Sequence, residues 1–541
     1  MTDVASPSET PAAAPPPKAT RRSPGQWFAA QDTRELLLWG ALITVGLIVR
    51  FIALGERAFH HDESQDAYFS YLFRQSGDYE YNPLLHGPFR FYLTALMYVL
   101  FGDTDFTARL APALMGAAMV PLCWALRPLS GRIAAFATAV LLAFGPSYLY
   151  FSRFAREDIY VACLTLALIV VIWRFIDKPR KFYPALIGLF VSLSFATKET
   201  TFITVFVMGT FFLFALCIPP WRRQVWGAVT SAGLDGWGWC LAAFAGSFTI
   251  LFTTFLTHPG GLWDGIYTGL DYWLGQHDVG RGGEPFVFYS VLLYLVEWPA
   301  LLLGTIGAVT LWRRNALLTS FLLWDFVLSL AVYSWAGEKF AWLVLHPLLP
   351  LLILAGAGLQ GIWEARGYWR VAGFAAATFA LIYVAFSSWW VNVDRSADPR
   401  EFLVSTQSST QVKEVADQVL ALAASRGPNA PPLPVTIDSA EGATFPYAWY
   451  FRHLSAGYID LQQQNATPPP DAEAIVMTGT SHTRLLNALG GYDCREFPFR
   501  VWWVREYGKI RPANAFRYIT RRETWNPTGG MKEWLCVRKA A

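Results

Sequence analysis

Residues 36–55 of the chain read LLLWGALITVGLIVRFIALG, and residues 60–64, just beyond them, read HHDES. The first segment has the length and composition of a helix that crosses a bilayer, which takes about 20 apolar residues. The second segment places two adjacent acids, Asp62 and Glu63, next to the end of that helix. Acids so close to a membrane span usually mark a place where something polar is bound or transformed. The two segments together predict a membrane-embedded helix bundle with a functional site at one membrane surface.

The composition supports a multi-pass membrane protein. Of the 541 residues, 54% are hydrophobic and 15% are charged, whereas a soluble protein of this length carries about 25% charged residues. Apolar runs of spanning length recur up to about residue 390 and then stop. The net charge of +3 is too small to indicate a protein that binds nucleic acid.

The chain divides into three parts. Residues 1–34 are rich in Pro, Ala, Ser and Thr, which is typical of a disordered tail. Residues 35–392 form the membrane domain, and residues 393–541 mix strand-like and helix-like segments, which predicts a small α/β domain. This domain binds the acceptor or only packs over the active face, and its sequence favours neither role. Its predicted strands are 434–438, 472–477 and 495–504, and its predicted helices are 409–424 and 481–489.

We predict eleven transmembrane helices. The apolar stretches 182–217 and 316–361 each exceed one span, so each must reverse within the membrane. Residues 89–101 are too few for a span and follow Pro and Gly, which favours an interfacial or re-entrant helix. The predicted spans are 36–55, 107–126, 133–152, 158–176, 182–197, 199–217, 238–257, 287–311, 316–335, 340–361 and 370–390.

Loop charge predicts the orientation. With eleven spans, arginine and lysine are concentrated in alternate loops, on the same side as Lys18, Arg21 and Arg22 of the tail. The positive-inside rule makes this side cytoplasmic. We therefore expect a cell-membrane protein whose C-terminal domain and 56–106 loop, with its surface helices, lie outside. Five polar loops should also meet on the outer face, namely 60–64, 152–158, 197–200, 258–285 and 336–340.

Acids and bases on this face suit group transfer from a phosphate. A carboxylate of Asp62 or Glu63 can take a proton from an acceptor hydroxyl, while cations stabilise a departing phosphate. A helix N-cap is the alternative role of Asp62, since a short acceptor before Gln65 fits a capping pattern. Snorkelling of long side chains to the interface is the alternative role of the cations. The candidate phosphate-binding residues are Arg153, Arg156, Lys198 and Lys339.

Further charged residues in the outer loops are candidates for contacts with the acceptor, the sugar or a metal. Asp62, Glu63 and three of these further residues could ligate Mg²⁺ or Mn²⁺. Their spacing is not that of a dedicated metal site, so the sequence leaves both a metal-dependent and a metal-free site as alternatives. The further candidates are Glu157, Asp158, Glu199, His258 and Glu338.

The order of these motifs resembles the membrane glycosyltransferases of the GT-C fold, in the branch of protein O-mannosyltransferases. The matching segments are HHDES, HGPFRFYLTALMYVLFG (86–102), ARLAPALMG (108–116), SRFARED (152–158) and LSFATKET (193–200), and the pattern covers roughly residues 36–350. Within this branch the chain is most similar to the bacterial and archaeal flippase activity-associated proteins. His86 stands in a His-Gly-Pro element where relatives often have two prolines after the histidine, and it is a further candidate for acceptor, sugar or metal contact.

The resemblance implies a hexosyl- or mannosyltransferase-like enzyme that uses a polyprenyl-phosphate-linked sugar. The acceptor would be a protein, lipid or glycan, as in protein glycosylation. Asp62 matches the position of the catalytic base, and Arg156 and Lys198 match lipid-phosphate contacts.

Two other interpretations are a lipid-linked sugar flippase or transporter and a non-catalytic glycan-assembly protein. Transport favours charged residues in mid-span and repeated halves, whereas the ionisable residues singled out here cluster at one face and the sequence has no evident repeated halves. A non-catalytic protein with the same fold remains open. Of six cysteines, Cys494 and Cys536 lie outside the predicted spans, in the domain that we expect outside the cell, where a disulfide can form. We therefore predict that these two are bonded.

Overall fold

The structure is a computed structural model that describes residues 32–276, 280, 282–427 and 430–539. The predicted disordered tail, with Lys18, Arg21 and Arg22, lies almost wholly outside the described residues. Helices dominate up to residue 394, and a mixed sheet with surrounding helices follows. This agrees with a helical membrane domain followed by a C-terminal α/β domain.

The first half of the membrane domain contains long helices separated by short ones. Its helices are α1 (Thr33–Phe51), α2 (His61–Ser76), α3 (Phe89–Phe101), α4 (Asp105–Ala108), α5 (Leu110–Leu122), α6 (Arg127–Ser130), α7 (Arg132–Phe144), α8 (Pro146–Ser152), α9 (Asp158–Asp177), α10 (Tyr183–Phe195), α11 (Thr201–Leu216) and α12 (Pro219–Phe252). Helix α12 is interrupted at Gly233, whose φ of 66° lies in the left-handed region that glycine tolerates.

The second half continues in the same manner. Its helices are α13 (Gly261–Trp263), α14 (Gly269–Gln276), α15 (Phe288–Val296), α16 (Trp298–Trp312), α17 (Ala316–Trp335), α18 (Leu345–Glu364) and α19 (Gly367–Trp389). Helix α18 is the central helix, since 94% of its apolar stretch is buried. It packs closely on α16, where a Cβ added to Gly307 would come within 1.7 Å of the Leu354 carbonyl oxygen.

The predicted number of spans is only partly supported. Within the described residues, five helical segments are long and apolar enough to cross a membrane, and the number rises to eight if each bent pair is one span. The bends are 56° between α7 and α8, 118° between α11 and α12, and 92° between α15 and α16. Because sequence length alone does not reveal such bends, the count of eleven stays a prediction.

The C-terminal domain is built on a six-stranded sheet. The strands are β1 (Gln407–Ser408), β2 (Val435–Asp438), β3 (Ala456–Ile459), β4 (Ala474–Thr478), β5 (Tyr492–Trp502) and β6 (Gly529–Arg538), in the order β1-β5-β6-β4-β2-β3. Strand β2 pairs in parallel with β3 and β4, and the other pairs are antiparallel. The helices are α20 (Thr410–Ser425), α21 (Thr444–Tyr450), α22 (Gly479–Leu485) and α23 (Pro512–Arg521).

The sheet contains all three strands that the sequence predicts. Strands β1, β3 and β6 were not predicted, and β6 lies between β5 and β4. Cys494 and Cys536 are directly opposite each other on β5 and β6 and form a disulfide. The bond therefore joins two central strands of the domain.

Candidate active site

One cavity of about 590 Å³ is lined by residues from all five polar loops that the sequence predicts on one face. Segments that are distant in the chain therefore converge at this point. Its lining includes Asp62, Arg156, Lys198, Trp273 and Glu338, one residue from each loop.

Asp62 lies in the first turn of α2, with its carboxylate at the cavity wall. It is not the N-cap, so that interpretation of the sequence is wrong. His60 caps the helix, because its Nδ1 accepts a hydrogen bond of 3.1 Å from the amide of Asp62. Glu63 completes the capping box by accepting from the amide of His60 at 3.1 Å. The Asp62 carboxylate is therefore not needed as a cap, and the side chain is 26% exposed toward the cavity.

A short ion pair joins Asp62 to Arg156, with 2.9 Å between Oδ2 and Nη1. Burial raises the pKa of the Asp62 carboxyl, but the nearby Arg156 charge and the two adjacent histidines outweigh burial and hold the pKa below its ordinary value. Asp62 is therefore ionised near neutral pH. The Arg156 guanidinium also lies 4.7 Å above the Trp342 ring, which fixes its position at the wall.

Glu63 occupies a different environment from its neighbour. Its side chain is fully buried and does not line the cavity. Arg109 binds both of its oxygens, at 2.8 and 2.9 Å, and the amide of Ala155 donates at 2.8 Å. Burial raises its pKa, but the charges of Arg109 and of Arg57, which lies 3.4 Å away, prevail together with these hydrogen bonds and lower the pKa to about 2. Glu63 therefore ties α2 to the two segments beside it, and only Asp62 of the pair faces the cavity.

The four candidate phosphate-binding cations divide into two groups. Arg156 and Lys198 line the cavity. Arg153 donates to the carbonyl oxygens of Val49 and Ile52 at the end of α1, at 3.3 and 2.7 Å. Lys339 donates to the carbonyl oxygen three residues before it, at 2.6 Å. Neither Arg153 nor Lys339 is among the lining residues, because backbone carbonyls hold both side chains.

Lys198 is held by an acid behind the wall. Its Nζ lies 2.9 Å from both carboxylate oxygens of Asp158. The His346 imidazole is 3.5 Å from the same carboxylate and stacks on Tyr333. His346 therefore supports Asp158 rather than lining the cavity.

His86 connects two of the loops. Its Nε2 lies 3.0 Å from a Glu157 oxygen, and its Nδ1 lies 2.7 Å from a Glu199 oxygen. His86 and Glu199 line the cavity, whereas Glu157 lies behind it and also contacts Arg156 at 3.3 Å. Asp62, Arg156, Glu157, His86 and Glu199 thus form one continuous chain of charged groups.

The candidate metal ligands do not come together at one point. Each of the four carboxylates pairs with a basic side chain, and His258 pairs with Asp78 at 2.6 Å, away from the cavity lining. The ligand candidates are Asp62, Glu63, Glu157, Asp158 and His258. In the described part of the chain, one group of three potential ligands gathers, His482 with Cys494 and Cys536, and its cysteines are joined to each other.

Comparison with known proteins places this arrangement in a family context. Residues 85–249 match the family described as dolichyl-phosphate-mannose-protein mannosyltransferase. That range contains the His86 turn and the loops that carry Arg156 and Lys198. No curated protein matches the chain in a sequence search.

Solved structures show the same fold. ArnT from Cupriavidus metallidurans in the apo state superimposes with a TM-score of 0.58 and 16% identity, over 85% of this chain and 96% of that one. The same protein bound to undecaprenyl phosphate gives 0.57 and 14%, over 94% and 98%. AglB from Archaeoglobus fulgidus, an oligosaccharyltransferase solved with an inhibitory peptide and a dolichol-phosphate, gives 0.51 and 12%, over 83% and 70%.

The chain therefore has the GT-C fold of these membrane proteins, and its residues 85–249 are similar to the protein mannosyltransferase family. In this fold, its cavity contains two charged residues that the sequence did not single out. Asp66 and Arg90 line the wall and form an ion pair. The signal for Asp66 was present, since it follows Asp62 by four residues and so shares its face of α2.

The C-terminal domain also reaches the site. Arg500 of β5 donates to Nδ1 of His61, which lines the cavity next to Asp62, at 3.0 Å. Because a guanidinium has only donors, this ring nitrogen must accept. Nothing in the local sequence indicates the contact, since the two residues are 439 positions apart.

Polar contacts also fasten this domain to the loop between α3 and α5. Lys413 and the Trp449 indole bind Asp105 at 2.9 and 2.8 Å, and Arg452 binds Asp103 at 2.9 Å. The domain thus packs against residues 56–106 beside the cavity.

Proposed function

We propose that the protein is an integral membrane glycosyltransferase that moves a sugar from a polyprenyl-phosphate-linked donor to an acceptor, with Asp62 as general base. The observation that carries the proposal is that Asp62, Arg156 and Lys198 line the same cavity, with Asp62 2.9 Å from Arg156. The fold shared with an undecaprenyl-phosphate-bound protein supports this class of donor. A protein, lipid or glycan hydroxyl is the proposed acceptor, on the outer face of the cell membrane.

The proposed reaction is a displacement with inversion at the anomeric carbon. The acceptor oxygen attacks this carbon while its proton passes to an Asp62 carboxylate oxygen. The bond between the anomeric carbon and the phosphate oxygen breaks, and its electron pair stays on the polyprenyl phosphate. Arg156 and Lys198 stabilise the charge that develops there. The proton on Asp62 then passes to water.

Binding of the lipid-linked sugar donor would also raise the basicity of Asp62. In the present structure Asp62 shares the Arg156 guanidinium with Glu157. A phosphate bound at Arg156 competes with Asp62 for the same donors, which weakens the ion pair and raises the pKa of Asp62. The base therefore becomes stronger when the donor is in place.

The cavity wall also contains a surface for an isoprenoid chain. Apolar side chains from four separate segments face the same space as the charged residues. They are Leu84, Ile203, Leu274 and Val332. A polyprenyl phosphate has the matching combination of an anionic head and an apolar tail.

The test of the base is Asp62→Asn in the purified full-length protein, assayed with undecaprenyl-phosphate-linked hexoses and extracts of potential acceptors. Asparagine keeps the size of the side chain but cannot take the proton. Transfer should fall by roughly 10²-fold or more, while binding of undecaprenyl phosphate persists. Transfer at the parent rate would refute the assignment. Movement of the lipid-linked sugar across vesicles, with no transfer by the parent, would favour a transporter.

The test of the phosphate site compares arginines three positions apart. Arg156→Ala and Lys198→Ala should each weaken the binding of undecaprenyl phosphate, and Arg156→Lys should restore part of it because it keeps the charge. Arg153→Ala is the matched control, since the Arg153 guanidinium donates to the carbonyl oxygens of Val49 and Ile52, outside the cavity lining. Equal affinity in the Ala variants and the parent would show that these cations serve only as anchors.

A further inference from the structure

The turn that carries His86 is fixed against the loop that carries Lys198. The amide of Gly87 donates to the Thr197 carbonyl at 3.1 Å, and the amide of Phe89 donates to the Ala196 carbonyl at 2.8 Å. A Cβ added at Gly87 would lie 2.2 Å from the Ala196 carbonyl oxygen, so only glycine allows this approach. The imidazole of His86 is therefore held at a defined place between two loops.

Both ring nitrogens of His86 face carboxylate oxygens, those of Glu157 and Glu199. Nδ1 is hydrogen-bonded to Glu199, whereas the contact of Nε2 with Glu157 is a close ion pair without hydrogen-bond geometry. Two carboxylates within 3.0 Å of one ring stabilise the charged imidazolium. Burial and the nearby Lys198 charge lower the pKa of His86, but Glu157 and Glu199 prevail and raise it. His86 thus adds a cation to a wall that already contains Arg156, Lys198 and Arg90, the last of which is paired with Asp66.

The His86 cation changes the charge balance of the cavity wall. Glu199 lies on the wall, and besides its contact with His86 it accepts a hydrogen bond of 3.2 Å from the uncharged Tyr81 hydroxyl. Glu157 is shared between His86 and Arg156. If His86 were neutral, Glu199 would face an incoming phosphate as an uncompensated charge, and Glu157 would draw more strongly on Arg156, with which it already pairs. Both changes oppose the binding of an anion.

We propose that His86 is a positioning residue whose imidazolium links the Arg156 loop to the Lys198 loop and neutralises Glu199. The cationic side chains of Arg156 and Lys198 then stay available to the donor phosphate. The inference rests on the proposed donor class. It assigns His86 no contact with the reacting atoms.

The test is a pair of variants, His86→Gln and His86→Gln with Glu199→Gln, with undecaprenyl phosphate as the probe for the purified full-length protein in nanodiscs. His86→Gln should weaken binding by about tenfold, since members of one ion-pair network couple by an energy of that order. The double variant should regain most of the affinity, because it removes the carboxylate that His86 neutralises. His453→Gln is the matched control, since this histidine pairs with Asp103 and does not line the cavity.

The double variant separates charge balance from a merely structural role. Affinity no better than that of His86→Gln alone would overturn the inference. Thermal unfolding without ligand gives a second readout, in which His86→Gln should lower Tm and the double variant should recover most of the loss. Failure of the parent to bind undecaprenyl phosphate would instead refute the proposed donor class, and the recovery of Tm would then decide whether the charge link exists.

Discussion

Replacement of Glu63 by Gln should markedly lower the free energy of unfolding of the protein. The side chain is fully buried, and three groups bind its two oxygens at 2.8 to 3.1 Å: the Arg109 guanidinium and the amides of Ala155 and His60. A glutamine amide places an NH₂ group where one of these oxygens accepts two of the hydrogen bonds. Donors would then face donors, and the charge of Arg109 would remain buried without its partner.

The magnitude follows from the pKa of Glu63. Its ordinary value of 4.5 falls to about 2 in the folded protein, and this difference corresponds to about 3 kcal/mol of the free energy of unfolding. Removal of one partner from a buried ion pair costs about 3–5 kcal/mol, which agrees. The folded-state pKa lies below the ordinary value, so the ionised Glu63 makes its full contribution to the free energy of unfolding at neutral pH. This contribution disappears as the pH falls from about 4.5 through about 2.

The assay is denaturant or thermal unfolding of Glu63→Gln in detergent near neutral pH, with Asp62→Asn as the matched control. The control loses one ion pair at a partly exposed side chain and should cost about 1 kcal/mol or less. The difference between the two variants should shrink in acid. A Glu63→Gln protein with the stability of the parent at neutral pH would refute the anchoring role of Glu63.

Two further predictions concern topology and the external domain. Single cysteines introduced at the exposed positions Gln75 and Gln464 should react with an impermeant reagent added to intact cells, whereas one at Lys178 should react only after lysis. The reverse pattern would invert the predicted orientation. Mass mapping of the unreduced protein should recover Cys494 and Cys536 in one linked peptide pair, and two free thiols would exclude the disulfide as a feature of the mature protein.

Local features of the fold were predictable from the sequence. Helix α3 has the bounds of the predicted segment 89–101, because Pro88 precedes it and Gly102, with a φ of 79°, ends it. The convergence of the five polar loops was also predictable, since alternation of basic loops puts them on one face. Residue type and periodicity are sufficient for such features, because neighbours in the chain determine them.

The division of labour between Asp62 and Glu63 was not predictable. Two adjacent acids look equivalent in the sequence, and the structure separates them through contacts with Arg109 and Arg156, 46 and 94 positions away. The bends within the helical spans were equally hidden. Contacts between residues far apart in the chain determine both the roles of the two acids and the bends. A single sequence contains no direct signal for such contacts.

The contact between Arg500 and His61 has a consequence for biosynthesis. Helix α2 is among the first elements that the ribosome produces, but the guanidinium that holds its first residue is made after more than four-fifths of the chain. A nascent polypeptide that has already inserted every helix of the membrane domain therefore still lacks this support. The candidate active site is completed only when translation is almost finished. A prematurely terminated product that integrates into the bilayer would therefore contain Asp62 without the contact between Arg500 and the neighbouring His61.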